Sequence, residues 1–259
     1  MTKCFRKIQL SHFLSILLFF LILSIYSCEQ DSNNSRTLFV KIHDDSLAIP
    51  SENHDSTRIS KRISWINKLI ESDEDIYASK NRDLWQQPQT IINYLGNLKG
   101  KTLADIGAGP NGYFTFIIAT RTNVKKVIAI DIDEKALKYI DDYKQKLSDN
   151  QKEKIETRLV SPTNPQLKEG EVDFILVSNT LTYIDDRLDY LKKLRKGLSK
   201  NGQILIIDSK MKKLPKIFPS RKYRMPLYQM EEIIEEAGFT HILSDDLALN
   251  YQYIVLAKK

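Results

Sequence analysis

The 259-residue chain is long enough for one large α/β domain with extensions. Its formal charge of +6 shrinks to 36 basic against 33 acidic residues once the first 27 residues are set aside, because these hold Lys3, Arg6 and Lys7 and no acid; that bias is too weak for a nucleic-acid binder. The two cysteines, Cys4 and Cys28, exclude a disulfide framework and a cysteine-based metal site, and the scattered His12, His43, His54 and His241 form no ligand pair.

The chain opens on a basic stretch followed by the apolar run "FLSILLFFLILSI", residues 13–25, which is of signal-peptide length and short for a membrane span. Ser27 and Cys28 follow, and the "IYSC" they close resembles a bacterial lipoprotein lipobox, with Tyr26 bulkier than that motif usually takes. In such signals the cysteine is lipidated and becomes the new N-terminus. An uncleaved anchor and ordinary signal cleavage are the alternatives. The expected organisation is a lipoprotein signal over 1–27, a polar tether over 28–57 rich in Ser, Asn and Asp, and one domain with an N-terminal helical extension over 58–259. "TLFVKI" (37–42) has the pattern of a short strand, and Ile59, Ile63, Ile66 and Ile70 share one helical face.

Pro88 is well placed in the first turn of a helix carrying Ile91, Ile92 and Leu95. Strands and helices then alternate: strand "TLADI", helix 112–120, strand "KVIAI", helix 133–148, strand "IETRLV", a Pro-containing loop, strand "VDFILV", helix 185–199, strand "QILIID" and helix 226–237, stopped by Gly238. This order predicts a parallel sheet covered by helices on both faces. "THILSDD" and "YQYIVLA" follow with no helix between them and predict a closing antiparallel hairpin.

The stretch "LADIGAGPNGYF" (103–114) reads either as the G-x-G-x-x-G of a dinucleotide turn or as the D-x-G-x-G of an S-adenosylmethionine turn. Asp105 discriminates, because a carboxylate two residues before the first glycine repels a pyrophosphate and attracts the ammonium and sulfonium of S-adenosylmethionine. Asp131, closing the second strand 24 residues after Gly107, suits the two ribose hydroxyls of an adenosine, and Asp133 suits a helix cap.

From Asn81 to the end the chain resembles the class I S-adenosylmethionine-dependent methyltransferases, type 11-like, and within them a bacterial branch with lipoprotein-type signals. The stretches that carry the resemblance are "RDLWQQPQTIINYLGNLKGKTLADIGAG", "VIAIDID", "EVDFILVSNTLTYIDDR", "YLKKLRKGLSKNGQILIID" and "EEIIEEAGF". The resemblance implies a Rossmann-like seven-strand sheet of order 3-2-1-4-5-7-6 with the last strand antiparallel. It implies that S-adenosyl-L-methionine contacts Asp105, Gly107, Ala108, Gly109, Asp131 and Ile132, with Thr163 and Asn179 beyond the third and fourth strands and Trp85, Gln86 and Gln87 approaching from the preceding segment. The chain departs from the family in three places. Pro110 and Asn111 stand where one residue is usual, and Asn111, which tolerates left-handed geometry, is expected to absorb the insertion as a bulge pointing away from the cofactor, the alternative being a bulge that fills the space of its methionine tail. Thr163 or Asn164 replaces an acid, and Thr182 and Tyr183 replace a histidine pair. Tyr183 and Asp185 remain as catalytic candidates, Asp185 also as a helix cap. The loop "KMKKLPKIFPSRKYR" (210–224) holds seven basic residues and no acid, and suits an anionic acceptor or anionic lipid.

The functional expectation is therefore an exported lipoprotein methyltransferase of the cell envelope, on the periplasmic or outer surface, with a small or lipid-associated acceptor. The alternatives are a binding lipoprotein of the same fold without turnover and, more weakly, an NAD-dependent oxidoreductase.

Overall fold

A computed structural model describes Tyr77, residues 82–215 and residues 218–259. The expected signal and tether, Cys28, the strand at 37–42 and the helix through Ile59 and Ile70 lie outside the described residues. The described residues fall within the compact unit His54–Lys259.

The unit enters through two short helices, α1 (Arg82–Gln86) and α2 (Pro88–Leu95). Gln87 separates them in the left-handed conformation, with φ of 48°. Pro88 at the first helical position gives up an N–H that no helix start can use, and Gly96 ends the helix at φ 68°. Strands and helices then alternate as β1 (Thr102–Ile106), α3 (Tyr113–Arg121), β2 (Lys126–Asp131), α4 (Glu134–Lys144), α5 (Asp149–Lys152) and β3 (Ile155–Leu159), followed by β4 (Val172–Ser178), α6 (Arg187–Gly197), β5 (Leu198–Ser209), α7 (Leu227–Glu236), β6 (Thr240–Asp245) and β7 (Gln252–Lys258). The sheet order is β3-β2-β1-β4-β5-β7-β6, and β7 runs antiparallel to both β5 and β6. The expected fold class therefore stands, and the hairpin at the sheet edge is the β6–β7 pair.

The helix ends deviate from the expectation in small ways with local causes. The helix over 133–148 stops at Lys144 and a separate turn, α5, follows. Asp133 caps α4 by accepting from the Lys135 N–H at 2.9 Å. The helix expected from 185 begins at Arg187, because Asp186, not Asp185, caps it by accepting from the Asp189 N–H at 3.0 Å.

Period-two alternation in the central strands feeds two cores. Ala104 and Ile106 of β1 join Ile128, Ile130, Ile175 and Val177 under α6 and α7. Leu103 joins Val127, Ala129 and Leu176 under α2, α3 and α4. The same alternation sends Asp105 to the α3 face, where Thr115 waits for it.

Gly112, which starts α3, has φ of 52°, and a Cβ there would lie 2.7 Å from Ile140 Cγ1 of α4. Left-handed strain and overpacking act together at this position. Gly112→Ala is expected to cost about 2–4 kcal/mol of stability, read as a lower urea midpoint at unchanged slope.

Candidate functional site

The carboxyl ends of β1, β2, β4 and β5 gather the polar groups that the fold does not consume. Beyond β1 the chain turns sharply: the Gly107 and Ala108 N–H groups both donate to the Ile130 carbonyl, at 2.8 and 3.2 Å. Gly107, Gly109 and Gly112 all have positive φ, at 71°, 72° and 52°. The reasons differ. A Cβ on Gly107 would overlap the Thr180 side chain, whereas Gly109 faces nearly open space and is constrained by its φ alone. The Gly112 N–H donates to the Gly109 carbonyl at 3.2 Å, which closes a four-residue turn with Pro110 and Asn111 at its centre. Asn111 is not left-handed, contrary to expectation; Gly112 supplies that conformation, at no side-chain cost. Pro110 is exposed, and Asn111 lines neither cavity described below.

Two cavities adjoin around Gly107, Asn179, Thr180 and Tyr183, which line both. The larger, about 410 Å³, is walled by Asp131, Ile132, Val160 and Thr163 on the β2–β3 side and by Tyr183, Asp185 and Asp186 before α6. The smaller, about 270 Å³, is walled by Asp105, Ala108, Gly109, Phe114 and Arg82. Ile132 is 59% exposed, an unusual state for an isoleucine and suited to an apolar platform. Of the two residues expected to replace the family acid, Thr163 lines the cavity, while Asn164 accepts the Gln166 N–H at 2.9 Å and shapes its own loop.

The two acids of the site differ in setting. Asp131 is half-buried, and its carboxylate bridges two backbone donors, Gly109 N at 2.8 Å and Asp133 N at 3.0 Å. One lone pair on each oxygen remains for a ligand. Asp105 is fully enclosed. Burial pushes its carboxyl up to about 6, opposed by the 2.7 Å hydrogen bond from Thr115 Oγ1 and by the Arg82 charge.

Trp85 and Gln87, expected to approach the site, line neither cavity. Trp85 packs edge-on against Tyr77 and Phe218, where its ring is worth more as core than as a contact. Arg82 takes that place. Its guanidinium lies 4.1 Å from the Tyr113 ring centroid and 5.7 Å from that of Phe114. Arg82 Nε donates to Gln86 Oε1 at 3.3 Å, Gln86 Nε2 to Gln252 Oε1 at 2.8 Å, and Gln252 Nε2 to Asn179 Oδ1 at 2.5 Å. This buried chain ties α1, through the first residue of β7, to the left-handed Asn179 at the cavity junction. Sequence reasoning singled out Gln86 but not its partner Gln252, since nothing local signals a contact 166 residues away.

Tyr183 is 54% exposed and stacks on Tyr223 at 5.7 Å and 28°, so it belongs to the cavity mouth and not to the core. Behind it lies Asp208, near the end of β5, which the sequence reading passed over as an ordinary strand residue. Asp208 is buried; Oδ1 accepts the Ser209 N–H at 2.6 Å, while Oδ2, with the Thr182 hydroxyl nearby, makes no hydrogen bond of normal geometry among the described residues. Burial pushes this carboxyl up to about 7, with the Ser209 N–H, the Thr182 hydroxyl and the Arg187 charge pulling the other way. Asp208 in turn adds to the effect of burial in raising the Tyr183 hydroxyl.

A family model described as "Methyltransferase domain" matches residues 104–206, from within β1 into β5. Demethylmenaquinone methyltransferase of Lactococcus lactis subsp. lactis is 27% identical over 169 residues, 63% of this chain and 65% of that protein. The chain thus spans less than two thirds of that relative's length, and 58% of an uncharacterised Haemophilus influenzae protein that is 29% identical. A SAM-dependent methyltransferase from Aquifex aeolicus superposes with a TM-score of 0.61 at 23% identity, covering 75% of this chain and 97% of that one. Phosphoethanolamine N-methyltransferase 2 of Haemonchus contortus, in complex with S-adenosyl-L-methionine, superposes with a TM-score of 0.56 at 16% identity over 68% of this chain and 52% of that one. At these identities the solved structures show a shared fold.

The two buried carboxyls give stability a pH slope. In the unfolded chain both titrate near 3.9; folded, they titrate at about 6 and about 7. The folded state therefore holds more protons between those limits, and its stability is expected to fall as pH rises from 4 to 7, by at most about 1.4 kcal/mol per pH unit for each group. Asp208→Asn is expected to flatten the slope between pH 5 and 8 and to stabilise the protein at pH 8. Parallel denaturation curves for the two proteins across that window would contradict the assignment.

Proposed function

We propose that the chain, whose residues 104–206 match a methyltransferase domain and whose fold is shared with S-adenosylmethionine-dependent methyltransferases, is a class I member that binds S-adenosyl-L-methionine across the two adjoining cavities and methylates an acceptor beside Tyr183, as an exported lipoprotein anchored at Cys28. When bound, that cofactor supplies an electrophilic methyl group on a sulfonium.

The observation that carries the reading is the pair of carboxylates flanking the glycine turn, Asp105 in the smaller cavity and Asp131 in the larger, with Gly107 lining both. A nicotinamide dinucleotide would set its pyrophosphate beside the buried Asp105, a repulsion that a net-positive cofactor turns into attraction. The residues fit that cofactor group by group. Asp131 retains a lone pair on each oxygen for the ribose hydroxyls, Ile132 offers an apolar surface to the adenine, and Asp105 offers negative charge to the ammonium. Arg82, held among aromatic rings, supplies the one cation among the described cavity-lining residues and suits the carboxylate.

For the acceptor, this chain's residues offer orientation more than proton transfer. In-line displacement on a sulfonium depends on approach and alignment. Among the described residues that line the two cavities there is no histidine, cysteine or lysine. Tyr183 and Asp185 are left to steer the acceptor or to take a proton from it, and the acceptor is a small or lipid-associated molecule. The same absence favours a second reading, in which the fold is kept for binding without turnover.

Titration of the purified full chain with S-adenosyl-L-methionine is expected to show 1:1 binding that NAD does not displace. Asp131→Ala is expected to weaken it by about 1.5–3 kcal/mol, the range for hydrogen bonds to a charged group. No binding by the folded wild-type chain would overturn the cofactor reading, and binding without methyl transfer to any envelope extract would favour the second reading.

Cys28→Ala is expected to release the protein from the detergent fraction or stall its processing, since stable anchoring needs more than one acyl chain. Unchanged mass and partitioning of that variant would remove the lipoprotein assignment.

A further inference from the structure

The carboxyl end of the sheet is electrically divided. Over β2 and β4 it carries Asp131, Asp133, Asp185 and Asp186. Over β5, β7 and β6 it carries the loop after β5, in which Lys212, Lys213, Arg221 and Lys222 are exposed and outnumber the two acids of the neighbouring turn, Asp245 and Asp246. None of these four has an acidic partner within 4.0 Å among the described residues, although eleven ion pairs form elsewhere. The loop is not a loose tail. Arg224 clips it from within, donating to the carbonyls of Pro219 at 2.6 Å and Lys212 at 3.1 Å. Phe218 plugs it into the aromatic cluster with Trp85 and Tyr251. Its outer side carries Tyr223, stacked on Tyr183 and covered by the Lys222 ammonium at 4.5 Å.

Beside this loop stands the β6–β7 turn. Lys210, where the loop begins, is buried and pairs with Asp246 Oδ1 at 3.3 Å. The next residue, Leu247, is 91% exposed. The turn holds it out by design of the backbone: Asp245 accepts the Leu247 and Ala248 N–H groups at 2.6 and 2.7 Å. An apolar side chain presented at a braced tip, on the turn that Asp246 ties to the start of the basic loop, combines with that loop the two terms by which proteins bind anionic bilayers, apolar insertion and charge attraction.

We propose that the described residues 212–213 and 221–222 of the β5–α7 loop form, with the Leu247 turn, a docking surface for an anionic lipid bilayer. Lys212, Lys213, Arg221 and Lys222 meet the headgroups, and Leu247 enters the interface. The acidic half of the same end is repelled by the bilayer, so the chain docks tilted, with the β2–β4 cavity left open to water and Tyr183 at the boundary. An acceptor carried in the lipid phase would then reach Tyr183 without crossing solvent. A nucleic acid would satisfy the cations but has no use for a braced leucine. The proposal extends the membrane attachment proposed above and does not depend on the cofactor reading.

The test places a polarity-sensitive fluorophore at Leu247→Cys in the full chain, with Cys4→Ser and Cys28→Ser removing the native thiols. A second labelled protein, Lys99→Cys, reports from the amino end of β1, at the opposite end of the sheet. Vesicles of 30% phosphatidylglycerol in phosphatidylcholine are expected to blue-shift the probe at 247 and leave the probe at 99 unchanged. The shift should vanish at 0.5 M salt. Reversal of all four charges (Lys212→Glu, Lys213→Glu, Arg221→Glu, Lys222→Glu) should raise the lipid concentration needed for half the shift at least tenfold. Because the apolar run at 13–25 can bind vesicles by itself, the local shift and not total partitioning is the readout. A silent probe at 247 on bound vesicles, equal shifts at 247 and 99, or an unchanged half-point in the charge-reversed protein would each overturn the proposal. So would four-charge-dependent binding of a single-stranded oligonucleotide with no response to lipid. Cofactor titration on the same proteins separates these outcomes from failure of the enzymatic reading.

Discussion

The backbone of Gly107 lies against the side chain of Thr180, and the carboxyl end of the sheet is arranged around that contact. No Cβ fits between them. The turn after β1 can therefore cross directly beside the turn after β4, and Gly107 and Thr180 line both cavities. Thr180 is fixed in turn by donating to the Ser178 carbonyl at 3.0 Å, and Asn179 beside it adopts a left-handed conformation at φ 54°. The strain of that asparagine is held by the amide chain that reaches it from α1 through Gln86 and Gln252. The short helix before the domain is thereby built into the site.

The carboxyls at this end work against the stability of the fold. Asp105 and Asp208 sit where burial disfavours their charge, and one oxygen of Asp208 makes no hydrogen bond of normal geometry among the described residues. Core positions of this kind are filled more stably by apolar residues. The cost is understandable for Asp105, which faces a cavity; a cation arriving there would restore its ionisation and recover part of the penalty. Asp208 lies one layer further back, behind Thr182 and Tyr183, where its charge is felt by the Tyr183 hydroxyl.

The division of charge across the sheet end gives these features a direction. Acids collect over the early strands, beside the glycine turn. Bases outnumber acids over the late strands, in the long connection between β5 and α7, where Asp245 and Asp246 stand on the neighbouring turn. Tyr183 stands where the two halves meet and is stacked on the basic half through Tyr223.

The sequence by itself determined the strands, their order of appearance, the closing hairpin, the glycine turn, and Asp131 and Asp133 in their places, because these follow from short-range periodicity, positive-φ requirements and capping. It separated Asp105 from a dinucleotide turn on charge alone. It misplaced Asn111, because the choice of which residue of a turn goes left-handed was settled by Gly112 against the Ile140 wall, a contact 28 residues away. It sent Trp85 toward the cavity, where an aromatic cluster drawn from α1, the β5–α7 loop and the segment before β7 claimed the ring instead. Arg82, Gln252 and Asp208 had no local signature: Arg82 is placed by the rings of Tyr113 and Phe114 on α3, Gln252 by Gln86 and Asn179, and Asp208 by its burial at the end of β5, all of which arise only when the chain closes. Periodicity is a property of neighbours in the chain, whereas burial, relays and raised carboxyls are properties of neighbours in space, which the tertiary structure alone decides.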